Sequence, residues 1–168
     1  MITQYARVLQ ALKDGGVEFI LIGGVAANLH GAARATFDVD VVYCRRRENI
    51  RKLVGVFAPF NPYLRGAPPG LPFKFDEQTV RNGLNFTLQT TLGDVDLLGE
   101  VAGGGNYDQL LAHTVEMEAF GVRSRVVTLE RLIQLKRAAG RPKDFESLAE
   151  LQALLEQHHQ RGAGGAAG

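Results

Sequence analysis

Gly23 and Gly24, followed by the acidic run Asp38-Val39-Asp40, constrain this chain more than any other feature. They lie in the stretch Phe19 to Tyr43, which reads FILIGGVAANLHGAARATFDVDVVY. An apolar run stops at the glycine pair, and a short segment closes at Gly31. Arg34-Ala35-Thr36 then leads into two aspartates that open a second apolar run. The pattern predicts strand, turn, short helix, loop and acidic strand. Side chains alternate along a strand, so Asp38, Asp40 and Val42 share one face and Val39, Val41 and Tyr43 the other. Two such carboxylates stand about 7 Å apart at Cα and raise each other's pKa unless a cation lies between them. Magnesium suits that position, because it takes carboxylate oxygens together with substrate phosphates.

The flanking sequence supplies the rest of an α/β domain. Ile2, Tyr5, Val8, Leu9 and Leu12 recur at helical spacing, and Gly15-Gly16 stops that helix. Arg45 to Phe57 predicts a second helix with Ile50, Leu53, Val54 and Phe57 on its stripe, ended by Pro59. Residues 59 to 72 hold five of the six prolines, which predicts a long ordered loop rather than a sheet. Leu84 to Thr90 and Asp94 to Leu98 predict a hairpin turning at Thr91-Leu92-Gly93. Gly103-Gly104-Gly105 predicts a flexible linker. Its lack of a following Gly-Lys-Ser/Thr excludes a Walker phosphate loop. A helix over Tyr107 to Ala112 precedes a second hairpin, Val115–Phe120 and Val122–Val127. A helix N-capped by Thr128 carries Leu129, Leu132, Ile133 and Leu135. Pro142 suits the first turn of a last helix whose stripe is Phe145, Leu148, Leu151, Leu154 and Leu155. The expected fold class is α/β, a mixed sheet with helices packed on it. The expected organisation is a single domain over residues 1–158 and a disordered Gly/Ala tail over 159–168.

Composition enters as a set of exclusions. With 168 residues, 45% hydrophobic and 22% charged, the chain has material for an ordinary core. No apolar run approaches the roughly 20 residues that span a bilayer, and the N-terminus has no secretory pattern. The single cysteine, Cys44, excludes an internal disulfide and suits a reducing cytosol. A net charge of +1 provides no global attraction to nucleic acid. A local basic run, Arg45, Arg46, Arg47, Arg51 and Lys52, reads as a solvated face or as a contact for an RNA backbone.

A third carboxylate on a neighbouring strand would let two ions bracket the attacking and leaving oxygens of a phosphoryl transfer. Asp94 and Asp96 are the candidates. Asp96 is preferred, since it interrupts the apolar run Val95-Asp96-Leu97-Leu98, whereas Asp94 follows Gly93 and suits a turn. The glycine pair, read functionally, brings backbone N–H groups up to phosphate at a helix N-terminus. Read structurally, it is a plain turn.

Together, Gly23-Gly24, Asp38-Val39-Asp40 and Asp96 resemble the signature of the nucleotidyltransferases of the DNA polymerase β superfamily. The stretch GGVAANLHGAARATFDVD is similar to the small bacterial and archaeal branch, which includes relatives of the nucleotidyltransferases of toxin–antitoxin pairs. LIQLKRAAGRPKDFESLAEL, Leu132 to Leu151, is similar to the C-terminal part of that branch. The resemblance implies a polymerase β-like core, a nucleoside triphosphate substrate and two Mg2+ ions. Asp38, Asp40 and Asp96 would be the metal ligands and catalytic residues. Gly23, Gly24, Arg34, Thr36 and Lys136 would bind the nucleotide. Many family members carry serine as the second turn residue. Gly24 has no hydroxyl, so backbone N–H groups would do that work.

The implied activity is transfer of a nucleoside monophosphate from NTP to a hydroxyl on a protein, a tRNA or a small molecule, without a membrane partner. A partner protein fits the toxin–antitoxin resemblance. The alternative on the same fold is a catalytically silent nucleotide- or protein-binding module. A metal-dependent phosphohydrolase is a third reading, disfavoured by the lack of histidines near the aspartates.

Overall fold

In a computed structural model the chain is described over residues 2–166. The elements run α1 (Tyr5–Asp14), β1 (Phe19–Ile22), α2 (Gly23–Leu29), β2 (Asp38–Tyr43), α3 (Arg47–Phe57), β3 (Tyr63–Leu64), α4 (Glu77–Asn82), β4 (Asn85–Thr90) and β5 (Gly93–Leu98). They continue with β6 (Glu100–Val101), β7 (Gly105–Asn106), α5 (Tyr107–Leu111), β8 (Thr114–Ala119), β9 (Val122–Val127), α6 (Leu129–Ala139) and α7 (Asp144–Ala166). Seven strands form one mixed sheet in the order β3-β4-β5-β2-β1-β9-β8. The two central pairings that matter for the site are β1 antiparallel to β2 and β2 parallel to β5.

The core follows from the apolar runs. All four residues of β1 are buried, as expected of a central strand covered on both faces. Strand β4 alternates exposed and buried, with Phe86, Leu88 and Thr90 turned inward. Helix α1 buries Val8, Leu9 and Leu12, and α3 buries Ile50, Leu53 and Phe57. Helix α6 begins at Thr128, whose hydroxyl accepts from the Arg131 amide, and ends at Gly140 in the left-handed region. The β8–β9 turn puts both Phe120 and Gly121 at positive φ, the twist that a tight hairpin needs.

Several expectations are corrected. Residues 59–72 are not only loop: Tyr63 and Leu64 pair with Gln89 and Leu88 as an edge strand. The prolines flank that strand, where no ladder N–H is lost. Helix α4 was not legible in the apolar pattern, because Val80 alone is buried on it; its start is set by Asp76, whose carboxylate accepts from the Thr79 amide. Gly103 to Gly105 is a closed turn rather than a flexible linker. It joins β6 to β7 and packs against Leu110 and Leu135.

Ile2 and Phe145, placed on buried stripes by spacing, are exposed: Ile2 precedes α1, which begins at Tyr5, and Phe145 lies in the first turn of α7 on its solvent side. Pro142 thus precedes α7. The chain stays helical to Ala166, where the sequence predicts an unanchored tail from residue 159. Extending a formed helix adds one hydrogen bond per residue and avoids a new nucleation. The last two residues of that tail lie outside the described ones.

Leu97 is fully buried at the centre of β5. Leu97→Ala is expected to cost about 2–5 kcal/mol in urea unfolding, from lost burial and the cavity left behind.

Candidate active site

Strand pairing assembles the carboxylates. Because β2 and β5 are parallel and in register, Asp38 lies beside Asp94 and Asp40 beside Asp96. Four acidic side chains therefore share one face of two adjacent strands. One oxygen from each of Asp38, Asp40 and Asp96 falls within 4.8 Å of the others. Asp94 is outside that group. Its carboxylate lies 3.4 Å from the Arg65 guanidinium.

The electrostatics follow from this crowding. Burial, and then the charges of Asp38 and Asp96, push the Asp40 carboxyl up from 3.8 to about 8. Asp38 is also raised, first by burial and then by Asp96, against the opposing pull of Arg65. Asp40 Oδ1 is buried without a hydrogen-bond partner. An orphaned carboxylate oxygen beside two further carboxylates, with oxygen as the only donor type, fits a hard divalent cation such as Mg2+.

The glycine turn is built against this cluster. Ile22, the last residue of β1, pairs with Asp40. The chain enters α2 directly through Gly23 at φ +69. A side chain there would collide with the Asp40 carboxylate, and the backbone conformation itself favours glycine. Gly24 faces Thr36, whose hydroxyl would stand 2.6 Å from an added Cβ. That hydroxyl donates to Asp38 O at 3.3 Å. The residues ahead of β2 are pinned from α1 and its approach. The Tyr5 hydroxyl donates to Thr36 O, and Thr3 Oγ1 donates to Phe37 O at 2.6 Å.

A cleft of about 260 Å³ opens from the carboxylates. Gly23, Asp40, Asp96, Lys136 and Arg141 line it, and Leu98, Val101, Leu132 and Leu135 form its apolar wall. Lys136 thus lines the same cleft as Asp40 and Asp96. Its ammonium lies 3.5 Å from Asp144, which also receives a 2.8 Å hydrogen bond from Arg141 Nε. Asp144, at the start of α7, is buried. Burial pushes its carboxyl up, but the Arg141 hydrogen bond and the charges of Lys136 and Arg141 outweigh this and hold it below the usual range.

Arg34 stands apart from the carboxylates. It lines a smaller cavity with Gly24 and Lys136, and lies 3.6 Å from Glu146 and 3.9 Å from Glu150. The basic run after β2 is largely engaged elsewhere. Arg45 donates to Tyr43 and to two backbone carbonyls, Arg46 pairs with Asp108, and Arg51 with Glu48.

Sequence reasoning missed Arg65. It follows β3 on the segment read as loop, and its guanidinium reaches Asp96 at 2.8 Å, Asp94 at 3.4 Å and Asp38 at 3.8 Å. The available signal was its isolation, as the sole Lys or Arg between Lys52 and Lys74. Arg141 and Asp144 were missed because sequence alone does not show a helix start turning inward.

The arrangement has solved counterparts. The chain is similar to a Thermotoga maritima protein provisionally assigned as a nucleotidyltransferase. The TM-score is 0.55, the identity 18%, and the match spans 91% of this chain and 96% of that one. It is also similar to the antibiotic-resistance factor ANT(2'')-Ia, with a TM-score of 0.54 and 15% identity over 96% of this chain and 92% of that one. The chain shares the fold of both of these solved structures. At these identities the likeness is one of fold. No family model matches the sequence, and no curated protein matches it. Within this fold, the carboxylates occupy the two parallel strands β2 and β5, and the glycine turn sits at the end of β1.

The raised Asp40 pKa fixes a sign. The folded state holds a proton that the unfolded chain releases near pH 4. The associated stability is complete below that pH and is lost as pH rises through about 8. Thermal unfolding of the metal-free protein is expected to fall in Tm between about pH 5 and pH 8. Mg2+ should raise Tm more at pH 8 than at pH 5, where protons compete for the oxygens. Asp40→Asn should flatten both trends.

Proposed function

We propose that the chain is a metal-dependent nucleotidyltransferase that moves a nucleoside monophosphate from NTP to a hydroxyl acceptor. The observation that carries this reading is the trio Asp38, Asp40 and Asp96, with a buried unpartnered oxygen on Asp40, beside a cleft that Lys136 and Arg141 also line. Asp38, Asp40 and Asp96 would hold Mg2+, which supplies charge neutralisation at the transferring phosphate. The first turn of α2, entered through Gly23 and Gly24, offers backbone N–H groups to the triphosphate. Thr36 provides a hydroxyl beside Gly24, where many relatives carry serine. Lys136, held by Asp144, neutralises phosphate charge, and Arg34 lies on the same side. The apolar wall of Leu98, Val101, Leu132 and Leu135 suits the nucleobase. The acceptor oxygen attacks the α-phosphorus, pyrophosphate departs, and the hydroxyl proton passes to Asp96.

The acceptor we favour is a protein side chain or a tRNA end, in keeping with the resemblance to toxin–antitoxin enzymes and with action beside a partner protein in the cytosol. The engagement of Arg45, Arg46 and Arg51 within the fold weakens the case for an RNA backbone at that run. The fold shared with an antibiotic-resistance factor adds a small-molecule hydroxyl to the acceptors to be tried. No described helix is long and apolar enough to cross a membrane.

The test is transfer of α-32P label from each of the four NTPs to mixed protein, tRNA and aminoglycoside acceptors in Mg2+. Label transfer by the wild type and its loss in Asp40→Asn, with folding unchanged by circular dichroism, is the expected result. Nucleotide binding without transfer to any acceptor would select the silent binding module. Release of phosphate or monophosphate without an acceptor would select the hydrolase. Lys136→Ala is expected to raise the KM for NTP about tenfold, equivalent to some 1.4 kcal/mol, with a smaller effect on kcat.

A further inference from the structure

The cation already on the carboxylate face is Arg65, and its anchoring is the informative part. Its backbone amide donates to Thr87 O at 3.0 Å, next to the β3–β4 pairing of Leu64 with Leu88. Its Nη2 donates to Leu88 O at 2.8 Å, and its Nε forms an ion pair with Asp94 at 3.4 Å without a hydrogen bond. Neither Leu88 nor Asp94 belongs to the trio. The guanidinium therefore has a seat that does not depend on the trio being free of a divalent ion. From that seat it reaches Asp96 Oδ1 at 2.8 Å and Asp38 at 3.8 Å. Asp40 is not among its partners, and Asp40 Oδ1 has none at all.

The trio is thus asymmetric. One arm, Asp96, is covered by a fixed monovalent cation, while the other, Asp40, is open. We propose that Arg65 takes the acceptor-side cation position, so that the wild-type site binds one divalent ion, on Asp38 and Asp40, rather than two. The proposal rests on the nucleotidyltransferase reading of the site; it keeps the divalent ion on Asp38 and Asp40, gives Asp96 to Arg65 in place of a metal, and so departs from the two ions that the resemblance implies. A hard divalent ion on Asp96 would need to approach its oxygen to about 2.1 Å. A guanidinium donating to Asp96 Oδ1 takes up that oxygen, and its charge repels a divalent ion from the other. Arg65 then acts as the positioning residue for Asp96: it neutralises that carboxylate and holds it at the acceptor end of the cleft. Asp94, one pleat along β5, adds an ion pair that favours this placement of the arginine.

The test is Mn2+ stoichiometry, read by the loss of free-ion EPR signal and by calorimetric titration of the full chain with Mn2+ alone. Wild type is expected to bind one ion per chain. Arg65→Gln is expected to bind two, and Arg65→Lys, which keeps the charge, to bind one. Thermal unfolding checks that each variant is folded. If Arg65→Gln does not fold, Asp94→Asn is read in its place, since removing that ion pair should loosen the arginine and admit the second ion. Two ions on the wild type, or one on the folded Gln or Asn variant, would overturn the role of Arg65 and leave the nucleotidyltransferase reading standing. No Mn2+ on any variant would remove the metal site, and both proposals with it.

Discussion

Asp38, Asp40 and Asp96 must be held within 4.8 Å of one another on a partly buried face, and much of the molecule is arranged around that cost. At an effective dielectric constant near 20, two unit charges at this distance repel by about 3–4 kcal/mol. That is comparable with a large share of a domain's net stability of roughly 5–15 kcal/mol. The fold cannot relieve the repulsion by letting the strands move apart. β2 and β5 are central, and Val39, Val41, Val95 and Leu97 are fully buried on the opposite face. Relief comes by charge instead: a proton on Asp40, the guanidinium of Arg65, and room for a divalent ion.

The same constraint explains the turn. Gly23 lies against the Asp40 carboxylate, and Gly24 against Thr36. A side chain at either position would displace a group that belongs to the site. The glycine pair is therefore more than a break between strand and helix. It lets the end of β1 and the start of α2 close over the acidic strand. The segment before β2 is tied to the N-terminal residues through Thr3 and Tyr5, so the position of Asp38 depends on where α1 docks.

A second charged unit supplies two cations that line the same cleft. Buried Asp144 at the start of α7 holds Lys136 and Arg141 from the end of α6 and the connection after it. Bringing two cations to one buried carboxylate fixes their direction at low conformational cost, a form of preorganisation. The packing of α6 on α7 thus has a chemical consequence as well as a structural one.

The local spacing of residues was enough for the alternation that puts Asp38 and Asp40 on one face, for the apolar run of β1, for the hairpins and for most helix stripes. These depend on a two- or 3.6-residue period, which is a property of neighbouring residues in the chain. The preference for Asp96 over Asp94 rested on the same kind of local reading, a charge inside an apolar run. The register of β2 against β5 belongs to another class. It joins residues far apart in sequence, and no period within either strand specifies it. Likewise Arg65, Asp144 and Arg141 carry no distinguishing local pattern. One sits between prolines, and the others sit at a helix boundary. Their roles come from long-range pairing, where an edge strand of two residues delivers a guanidinium to the carboxylates and two helices close on a buried acid. Chemistry that needs one strand could be read from the chain, and chemistry that needs several elements at once had to wait for their packing.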